Sequence, residues 1–322
     1  MNITDRVYFY KGREEEKLVR GVGSCNVVVL KGEQQVMVDT GLIVGGAFRD
    51  LLNAAKADGL DLTRARAVLH THSHWDHITG DCIVQGEYGA KVYAHSWQEP
   101  YIESQKAAFR AFLLDVGEFY GEVFGLPAVF YKILLWYLGG SYSGLRVDEI
   151  LKGGEELDFG LGVVACHTPG HSPGHMAYYI PEDKALIGGD LIDLETGEGA
   201  DLNNPHSNYA DGLASLEKVR ALDIEYFLPA HGEPVHGKDK VESLLDRMIE
   251  NTHRYIKDVQ EFLSAREGTL TEMFNELMPN TPFTLKAMKM MQILTTLKHL
   301  QEMGEVALER KNGKLVWRLA PK

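Results

Sequence analysis

Residues that can bind metal ions are concentrated in one short stretch of the chain, residues 69 to 77, with the sequence LHTHSHWDH. Directly before it lies an apolar run, Ala65 to Leu69, of the kind that ends a β-strand. On an extended segment, side chains two positions apart point the same way, so His72 and His74 can bind one metal ion together. Asp76 and His77 follow at the turn beyond the strand, where both can reach a second ion nearby. This density of ligand-type residues predicts a metal site rather than a polar loop.

Three later apolar runs end in the same kind of residue. The run 163–166 leads into His171, the run 185–189 ends at Asp190, and the run 226–230 ends at His231. Loops at one edge of a packed sheet commonly build a site from the ends of several strands. We therefore expect these residues to meet the 69–77 stretch.

The elements that must position these residues alternate between strand and helix, which indicates an α/β fold. Residues 24–30 and 34–39 read as a hairpin of two apolar strands, and residues 48–59 as an amphipathic helix. Asp39 stands at the end of a buried strand, where it could cap the next turn or hydrogen-bond a metal-binding histidine. His175 also has two readings, an ordinary hydrogen-bonded core histidine or a partner of the metal ligands.

Residues 97–150 interrupt this alternation with a long, aromatic-rich insertion that is predicted to be helical. It is interpreted as a lid or a subunit contact, which could support a homodimer, with shallow membrane association as the alternative. Its most apolar part, residues 123–138, contains Pro127 and Lys132 and is shorter than the roughly 20 residues of a membrane-spanning helix. Phe130 and Trp136 are candidate substrate contacts within it.

The remainder of the chain predicts a second domain, so we divide it into residues 1–237 and 238–322. The second part reads as a long helix, two further helices and a two-stranded ribbon, which is a winged-helix-like pattern. From residue 281 onward, eight basic residues against three acidic ones give a local charge of +5. The basic residues are Lys286, Lys289, Lys298, Arg310, Lys311, Lys314, Arg318 and Lys322.

Composition limits the remaining possibilities. The net charge of −13 argues against a surface that is basic throughout, although not against a local basic patch. The three cysteines are isolated in sequence and odd in number, which is typical of reduced thiols. The first residues show no signal-peptide pattern, so we expect a cytoplasmic protein without a transmembrane segment.

Taken together, the pattern His-x-His-x-Asp-His, followed by Thr-Pro-Gly-His, Gly-Gly-Asp and Pro-Ala-His-Gly, resembles the metallo-β-lactamase superfamily over about residues 15–235. The resemblance implies an αββα sandwich with two mixed sheets face to face. It also implies two metal ions, the first bound by His72, His74 and His171, and the second by Asp76, His77 and His231. Asp190 would bridge the two ions.

Two divalent ions lower the pKa of a bridging water, giving a hydroxide nucleophile, and polarise the bond under attack. Asp76 and Asp190 are therefore the candidate catalytic residues, and Asp76 could pass a proton to the leaving group. Ligation by nitrogen and oxygen fits zinc, with manganese or iron as alternatives. Histidine at position 74, where flavo-diiron relatives carry glutamate, argues against an oxygen-reducing iron centre.

The C-terminal part carries Leu-Lys-His-Leu at residues 297–300, Gly304, and a predicted ribbon that contains Trp317. With these features after a metallo-β-lactamase-like domain, the chain resembles the β-lactamase-like-2 group, which includes an endoribonuclease. We expect a hydrolase of a small ester, thioester or lactone with an apolar portion. A single-strand-specific endoribonuclease and a metal-containing regulatory or signal-binding protein are the alternatives. His206 and Tyr209, in the loop after Asp190, are candidate substrate contacts, whereas His70 and His167 are expected to point away from the metals.

Overall fold

The fold was analysed in a computed structural model of the chain. The structure describes residues 1–12, 24–43, 46–125, 145–194 and 199–321, together with positions 129 and 133. Two of the predicted substrate contacts, Phe130 and Trp136, lie outside the described residues.

The first sheet has six strands that lie side by side in their order along the chain. They are β1 (Val7–Tyr10), β2 (Val27–Lys31), β3 (Gln35–Val38), β4 (Ala65–Leu69), β5 (Lys91–His95) and β6 (Glu149–Leu151). The predicted hairpin is confirmed, since β2 and β3 pair antiparallel with Val28 opposite Val38. From β3 to β6 the strands are parallel, so the residues that follow β3, β4 and β5 emerge at one edge. That edge carries Asp39 and the histidine-rich stretch.

The second sheet also has six strands, in the order β14-β13-β10-β9-β8-β7. They are β7 (Glu156–Asp158), β8 (Gly162–His167), β9 (Met176–Ile180), β10 (Ala185–Gly189), β13 (Tyr226–Pro229) and β14 (Val235–His236). Because β10 and β13 are parallel, Asp190 and His231 leave the sheet at the same edge. The loop between the antiparallel strands β8 and β9 carries His171 to that edge as well. A small separate ribbon pairs β11 (Ile192–Asp193) with β12 (Gly199–Ala200).

The two sheets pack face to face around an apolar core, with helices on both outer faces. Val38 and Leu69 of the first sheet share one buried cluster with Val163, Tyr178 and Leu228 of the second. The helices are α1 (Ala47–Ala57), α2 (Trp75–Ile78), α3 (Asp81–Val84), α4 (Glu99–Glu103), α5 (Gln105–Val116), α6 (Tyr120–Phe124), α7 (Tyr209–Arg220), α8 (Lys238–Ala265), α9 (Leu270–Leu277) and α10 (Lys286–Glu302).

Helix α1 packs on the outer face of the first sheet, whereas α7 and α8 pack on that of the second. The predicted αββα layer order is confirmed.

The helices of the predicted insertion pack on the C-terminal part of the chain. Phe119 shares a buried cluster with Phe262, Leu294 and Trp317, and its ring stacks on Trp317 at a centroid distance of 5.9 Å. The ribbon predicted near the end is present as β15 (Val306–Lys311) and β16 (Lys314–Leu319), paired antiparallel. Helix α8 belongs both to this cluster and to the layer on the second sheet, so the division between residues 237 and 238 stays a prediction.

The described residues bear on two expectations, the lack of a membrane-spanning helix and the reduced state of the cysteines. None of the helices placed in this part of the chain has the length and apolarity needed to cross a bilayer. All three cysteines are free thiols, and Cys25 and Cys166 are buried.

Candidate metal centre

The 69–77 stretch reaches the site through a bent segment followed by a short helix. β4 ends at Leu69, the chain bends at Thr71, and His74, the residue that precedes α2, has an extended backbone. Asp76 and His77 therefore lie in the first turn of that helix, directly beyond His72 and His74. The second sheet fixes this segment, because Met176 N–H donates to the Thr71 carbonyl at 2.8 Å and the Tyr178 hydroxyl donates to the His70 carbonyl at 2.7 Å.

A first group of ligand atoms is formed by His72, His74, His171 and Asp190, each contributing one atom within 4.8 Å of the others. The Nε2 atoms of His72 and His171 lie 3.6 and 3.5 Å from Asp190 Oδ2. His74 Nδ1 lies 3.1 Å from His171 Nε2. Three imidazoles and one carboxylate oxygen thus surround one point.

A second group contains Asp76, His77 and His231. His231 Nε2 lies 3.3 Å from Asp76 Oδ2, and His77 Nε2 lies 3.5 Å from the same oxygen. Both imidazole nitrogens also face Asp190 Oδ1, at 3.6 Å from His77 and 3.7 Å from His231. The two carboxylate oxygens of Asp190 are therefore divided between the two groups, which is the arrangement a bridging ligand needs.

Several atoms at the centre of the two groups are buried without a hydrogen-bond partner. They are His72 Nε2, His77 Nε2 and Asp190 Oδ1. A buried polar atom without a partner destabilises the fold by about 1–3 kcal/mol. Three such atoms at one point therefore indicate a site where a ligand binds. Their donor set, imidazole nitrogen and carboxylate oxygen, is the set that zinc and similar divalent cations prefer. The residues present fit the metal ions that the sequence predicted.

The electrostatics of the cluster favour a cation between the two carboxylates. Although burial opposes it, Asp190 and Asp76 raise the pKa of His231 to about 9. Burial and the neighbouring imidazoles hold the pKa of His72 well below its ordinary value, so this ring is neutral and its nitrogen is free to bind metal. The pKa of Asp76 is lowered because His77 and His231 outweigh the effect of burial.

Asp39 is buried behind the second group and hydrogen-bonds His77, a candidate ligand, so its predicted role beside the metal ligands stays a prediction that this contact favours. Its Oδ2 accepts from His77 Nδ1 at 2.8 Å and from the Thr71 hydroxyl at 2.7 Å. Its Oδ1 accepts from Thr71 N–H at 2.9 Å and lies 3.3 Å from His70 Nδ1. A carboxylate on the far nitrogen of a histidine fixes the ring orientation and leaves Nε2 free for metal.

Sequence reasoning missed a further buried carboxylate, Asp81. His70 lies away from the ligand groups, as its position in the strand predicts, and its ring connects Asp39 to Asp81, whose Oδ2 is 2.7 Å from His70 Nε2. The Thr40 hydroxyl donates to the other oxygen of Asp81 at 3.0 Å. Although burial opposes it, Asp81 and Asp39 raise the pKa of His70 to about 9. The only sequence signal was an acidic residue at the start of a short helix.

His175 supports the backbone of Asp190. Its Nε2 accepts from the Asp190 N–H at 3.0 Å, and its Nδ1 lies 3.0 Å from the Thr168 carbonyl. Since a backbone N–H can only donate and a carbonyl can only accept, the ring is neutral with its proton on Nδ1. Burial, with the nearby His171, agrees with this by lowering the pKa of His175 to about 3.

Gly189 has no room for a side chain beside the hydrogen bond between Asp190 N–H and His175 Nε2. We therefore expect replacement of Gly189 by alanine to damage the site. Its φ is +55°, and an added Cβ would lie 2.6 Å from His175 Nε2 and 2.8 Å from Thr71 Cβ. Gly189→Ala should lower the free energy of unfolding by about 1–3 kcal/mol and weaken metal binding. Urea unfolding and metal titration measure the two effects.

Gly59→Ala is the matched control for that variant. Gly59 has a similar φ of +78°, but an added Cβ would meet nothing within 4 Å. The control should lose about 1 kcal/mol through backbone strain alone and keep its metal affinity. Equal metal affinities in the two variants would contradict the role given to Gly189.

A loop after β12 holds His171 from the other side. His171 Nδ1 lies 3.2 Å from both the backbone oxygen and Oδ1 of Asp201. The Asn204 amide and the Ser207 hydroxyl both donate to the His171 carbonyl, the latter at 3.0 Å. Asp201 was not singled out in the sequence, because a lone aspartate thirty residues from its partner gives no local signal.

The two ligand groups open into a cavity of about 320 Å³. His74, Asp76, His171, Asp190 and His231 lie at one end. The aromatic and aliphatic lining among the described residues is Trp75, Trp97, Tyr101, Ala108, Phe109, Phe112, Phe124, Ile192, Leu194, Pro205, Ala287, Met288 and Met291. The wall therefore combines the insertion helices with α10 from the C-terminal part, a contribution that the sequence did not predict.

Of the two predicted contacts in the loop after Asp190, the structure brings one to the cavity. His206 lines it. Tyr209 does not line it: the ring is buried against His299, and the hydroxyl donates to the Thr252 carbonyl at 2.9 Å. As the first residue of α7, Tyr209 faces inward, so its expected role as a substrate contact is corrected to a packing role.

His95 and His167 lie outside the ligand groups. Their rings stack on each other at 4.5 Å, and His167 Nε2 donates to the Pro173 carbonyl at 2.8 Å. The expected orientation of His167 away from the metals agrees with this contact.

Comparisons with known proteins show which sequences and folds this chain is similar to. The sequence profile described as the metallo-β-lactamase superfamily matches residues 20–231. The probable metallo-hydrolase YqjP of Bacillus subtilis is 24% identical over 280 residues, covering 80% of this chain and 82% of that protein. The linear primary-alkylsulfatase of a Pseudomonas species is 26% identical over 251 residues, covering 70% of this chain but only 44% of that enzyme.

Among solved structures, a metallo-β-lactamase family protein from Thermus thermophilus superposes with a TM-score of 0.75. Its sequence identity is 21%, and the match covers 99% of this chain and all of the other. At this identity the likeness concerns the fold.

Proposed function

This chain belongs to the metallo-β-lactamase superfamily and is a metal-dependent hydrolase, and from that premise we propose that it hydrolyses an ester, thioester or lactone with an apolar acyl part. The observation that carries the proposal is the cavity, because it joins the ligand groups to a wall of aromatic and methionine side chains. Burying an alkyl chain there is favourable by about 0.8 kcal/mol per methylene.

The proposed ligand assignment follows the two groups. His72, His74 and His171 would hold one cation, Asp76, His77 and His231 a second, and Asp190 would contribute one oxygen to each. When bound, two divalent cations supply a water of lowered pKa and polarise the bond under attack. We propose zinc as the cation, because zinc commonly binds nitrogen and oxygen donors. The proposal includes a cation in each of the two ligand groups.

The chain's own residues orient the ligands and handle protons. Asp39 fixes the ring of His77, His175 fixes the backbone of Asp190, and Asp201 fixes the ring of His171. Asp76 lines the cavity and carries a carboxylate that is ionised at neutral pH. We propose that it also accepts a proton from the nucleophile and passes it to the leaving group, the oxygen of an ester or lactone or the sulfur of a thioester.

A sulfate ester is the second candidate substrate, because one relative is a linear primary-alkylsulfatase and the apolar wall suits an alkyl chain. An alkyl sulfate keeps a negative charge that a site must balance. Among the described residues that line the cavity there is neither lysine nor arginine. This favours an uncharged acyl substrate over a sulfate ester.

Nuclease activity is less favoured for a similar reason. Several C-terminal basic side chains that could contact a polyanion already pair with carboxylates: Arg310 with Glu118, Lys311 with Glu267, Arg318 with Glu309 and Lys289 with Asp193. Lys289 is moreover buried. The local positive charge is therefore partly neutralised in the fold.

The test is hydrolysis by protein loaded with zinc and by protein stripped with chelator. We expect zinc-dependent turnover of p-nitrophenyl octanoate or an octanoyl thioester, about tenfold or more above the acetyl analogue in kcat/KM. Met288→Trp should narrow the cavity and lower octanoyl turnover more than acetyl turnover. Absence of zinc-dependent acyl hydrolysis, or cleavage of octyl sulfate or single-stranded RNA instead, would overturn the proposal.

A further inference from the structure

His206 is a largely buried histidine that lines the cavity without belonging to either ligand group. Its side chain is 10% exposed. It comes from the loop that holds His171. The backbone N–H of His206 donates to the Asn204 side-chain oxygen at 2.9 Å. Since Asn204 and Ser207 both bond the His171 carbonyl, the backbone around His206 is fixed relative to the proposed metal centre.

The ring of His206 is oriented by the insertion helix α5. Its Nδ1 donates to the carboxylate of Asp115, which can only accept when ionised. Asp115 is held in turn by α10, because the Lys298 ammonium donates to the Asp115 backbone oxygen at 3.0 Å. The proton of the neutral ring is therefore on Nδ1, and Nε2 carries a lone pair.

Aromatic side chains enclose the same ring. Trp97 packs edge to face at a centroid distance of 5.3 Å, and Tyr101 lies nearly parallel at 6.2 Å. Within the part of the chain that the structure describes, Nε2 has no hydrogen-bond partner. Since His206 lines the cavity, its ring offers an acceptor there, flanked by two aromatic side chains.

We propose that His206 is a specificity-determining residue whose Nε2 accepts a hydrogen bond from a hydroxyl or amide N–H on the substrate's acyl chain. This rests on the proposed function and narrows its substrate class to acyl esters with a hydrogen-bond donor near the scissile bond. Asp115 is the positioning residue, because it sets the tautomer that makes Nε2 an acceptor.

The physical basis is the cost of leaving a desolvated acceptor unpaired. A site built to bond a polar group rejects the analogue that lacks it, because the acceptor then loses water without gaining a partner. The charged and titratable groups near the ring include Asp115, Lys298, His171 and Tyr101. Burial outweighs Asp115 and lowers the pKa of His206, which agrees with a neutral ring.

The experiment compares three p-nitrophenyl esters of similar length: octanoate, 3-hydroxyoctanoate and the N-hexanoylglycine ester. With zinc-loaded wild type, kcat/KM for at least one donor-bearing ester should exceed that for octanoate by about 10- to 100-fold. In His206→Phe this ratio should fall to about one. Asp115→Ala should also lower it, whereas Asp115→Asn should largely keep it, because the amide oxygen can still accept from Nδ1.

His236→Phe is the control, since His236 is an exposed histidine on β14 that stacks on Tyr226 away from the cavity. It should keep the wild-type ratio. No preference for either donor ester in wild type, or a preference that survives in His206→Phe, would overturn the inference. If His206 had only a structural role, His206→Phe would lower kcat/KM for all three esters together and leave the ratio of donor ester to octanoate unchanged.

A binding measurement distinguishes failure of the proposed hydrolytic function from failure of the inference about His206. If wild type hydrolyses none of the esters, the affinities of zinc-loaded protein for 3-hydroxyoctanamide and octanamide are compared by calorimetry. About tenfold tighter binding of the hydroxylated amide, lost in His206→Phe, would support the inference without any turnover. Equal or undetectable binding of the pair would overturn it.

Discussion

Replacing Asp190 by asparagine is expected to lower kcat/KM by at least about a thousandfold, which corresponds to about 4 kcal/mol of transition-state stabilisation. Each oxygen of Asp190 faces a different ligand group, Oδ2 towards His72 and His171 and Oδ1 towards His77 and His231. An asparagine offers one neutral oxygen in place of two that share a negative charge. The variant should therefore retain only about one metal ion per chain after dialysis.

Elemental analysis of the dialysed protein and turnover of the best acyl ester measure the two effects. Asp211→Asn is the control, because Asp211 is an exposed aspartate in the first turn of α7, and it should change neither quantity. Full metal content and near-normal turnover in Asp190→Asn would refute the bridging role. The same variant tests a regulatory function, since an effector role that needs no hydrolysis should survive the substitution.

Asp39→Asn is expected to weaken metal binding by about 10- to 100-fold although Asp39 itself touches neither ligand group's centre. The carboxylate accepts from His77 Nδ1, Thr71 N–H and the Thr71 hydroxyl. An amide can supply only one accepting oxygen, so its NH₂ group would face a donor. Asn tolerates the left-handed backbone at this position, where φ is +58°, so the effect will come from the side chain.

The same substitution should lower the free energy of unfolding of the metal-free protein by about 3 kcal/mol, because it breaks a buried charged network. Burial alone would raise the pKa of Asp39, but His77 and His70 hold it well below the ordinary value. A depressed pKa stabilises the fold above the unfolded pKa, and that stabilisation is lost on acidification. The difference between variant and wild type should therefore shrink as the pH falls below about 4.

Urea unfolding in the presence of chelator and zinc titration against a competing dye separate the two effects. Asp58→Asn is a suitable control, because Asp58 is partly exposed and its carboxylate accepts from the Tyr10 hydroxyl and lies 3.8 Å from the N-terminal amine, far from both ligand groups in sequence. If Asp39→Asn binds zinc as tightly as wild type, the orientation of His77 does not depend on Asp39.

The local parts of this site were predictable from sequence, because they depend on short spacings. His72 and His74 are two residues apart in the segment that follows β4, and Asp76 and His77 follow in the short helix α2. Asp39 was recognisable as a costly residue at a strand end, although the sequence could not decide between a capping role and a bond to His77.

The remaining parts depend on contacts between distant segments. Asp81 matters because α3 places it against His70, and Asp201 because its loop folds back onto His171. Tyr209 was misjudged because proximity in sequence to Asp190 does not reveal which way the first turn of a helix faces. The periodicity of residues 285–303 predicted a helix, but not that Met288 and Met291 would line the cavity.

The sheet topology also affects how the proposed metal ions would stabilise the fold. The first four predicted ligands follow β4 in the first sheet, whereas His171, Asp190 and His231 come from the second. Each proposed ion would therefore be a non-covalent cross-link between the two halves of the sandwich, closing chain loops of about a hundred residues or more. On this proposal the ions strengthen the packing of the two sheets, so we expect a protease to cleave the metal-free chain faster than the metal-loaded chain.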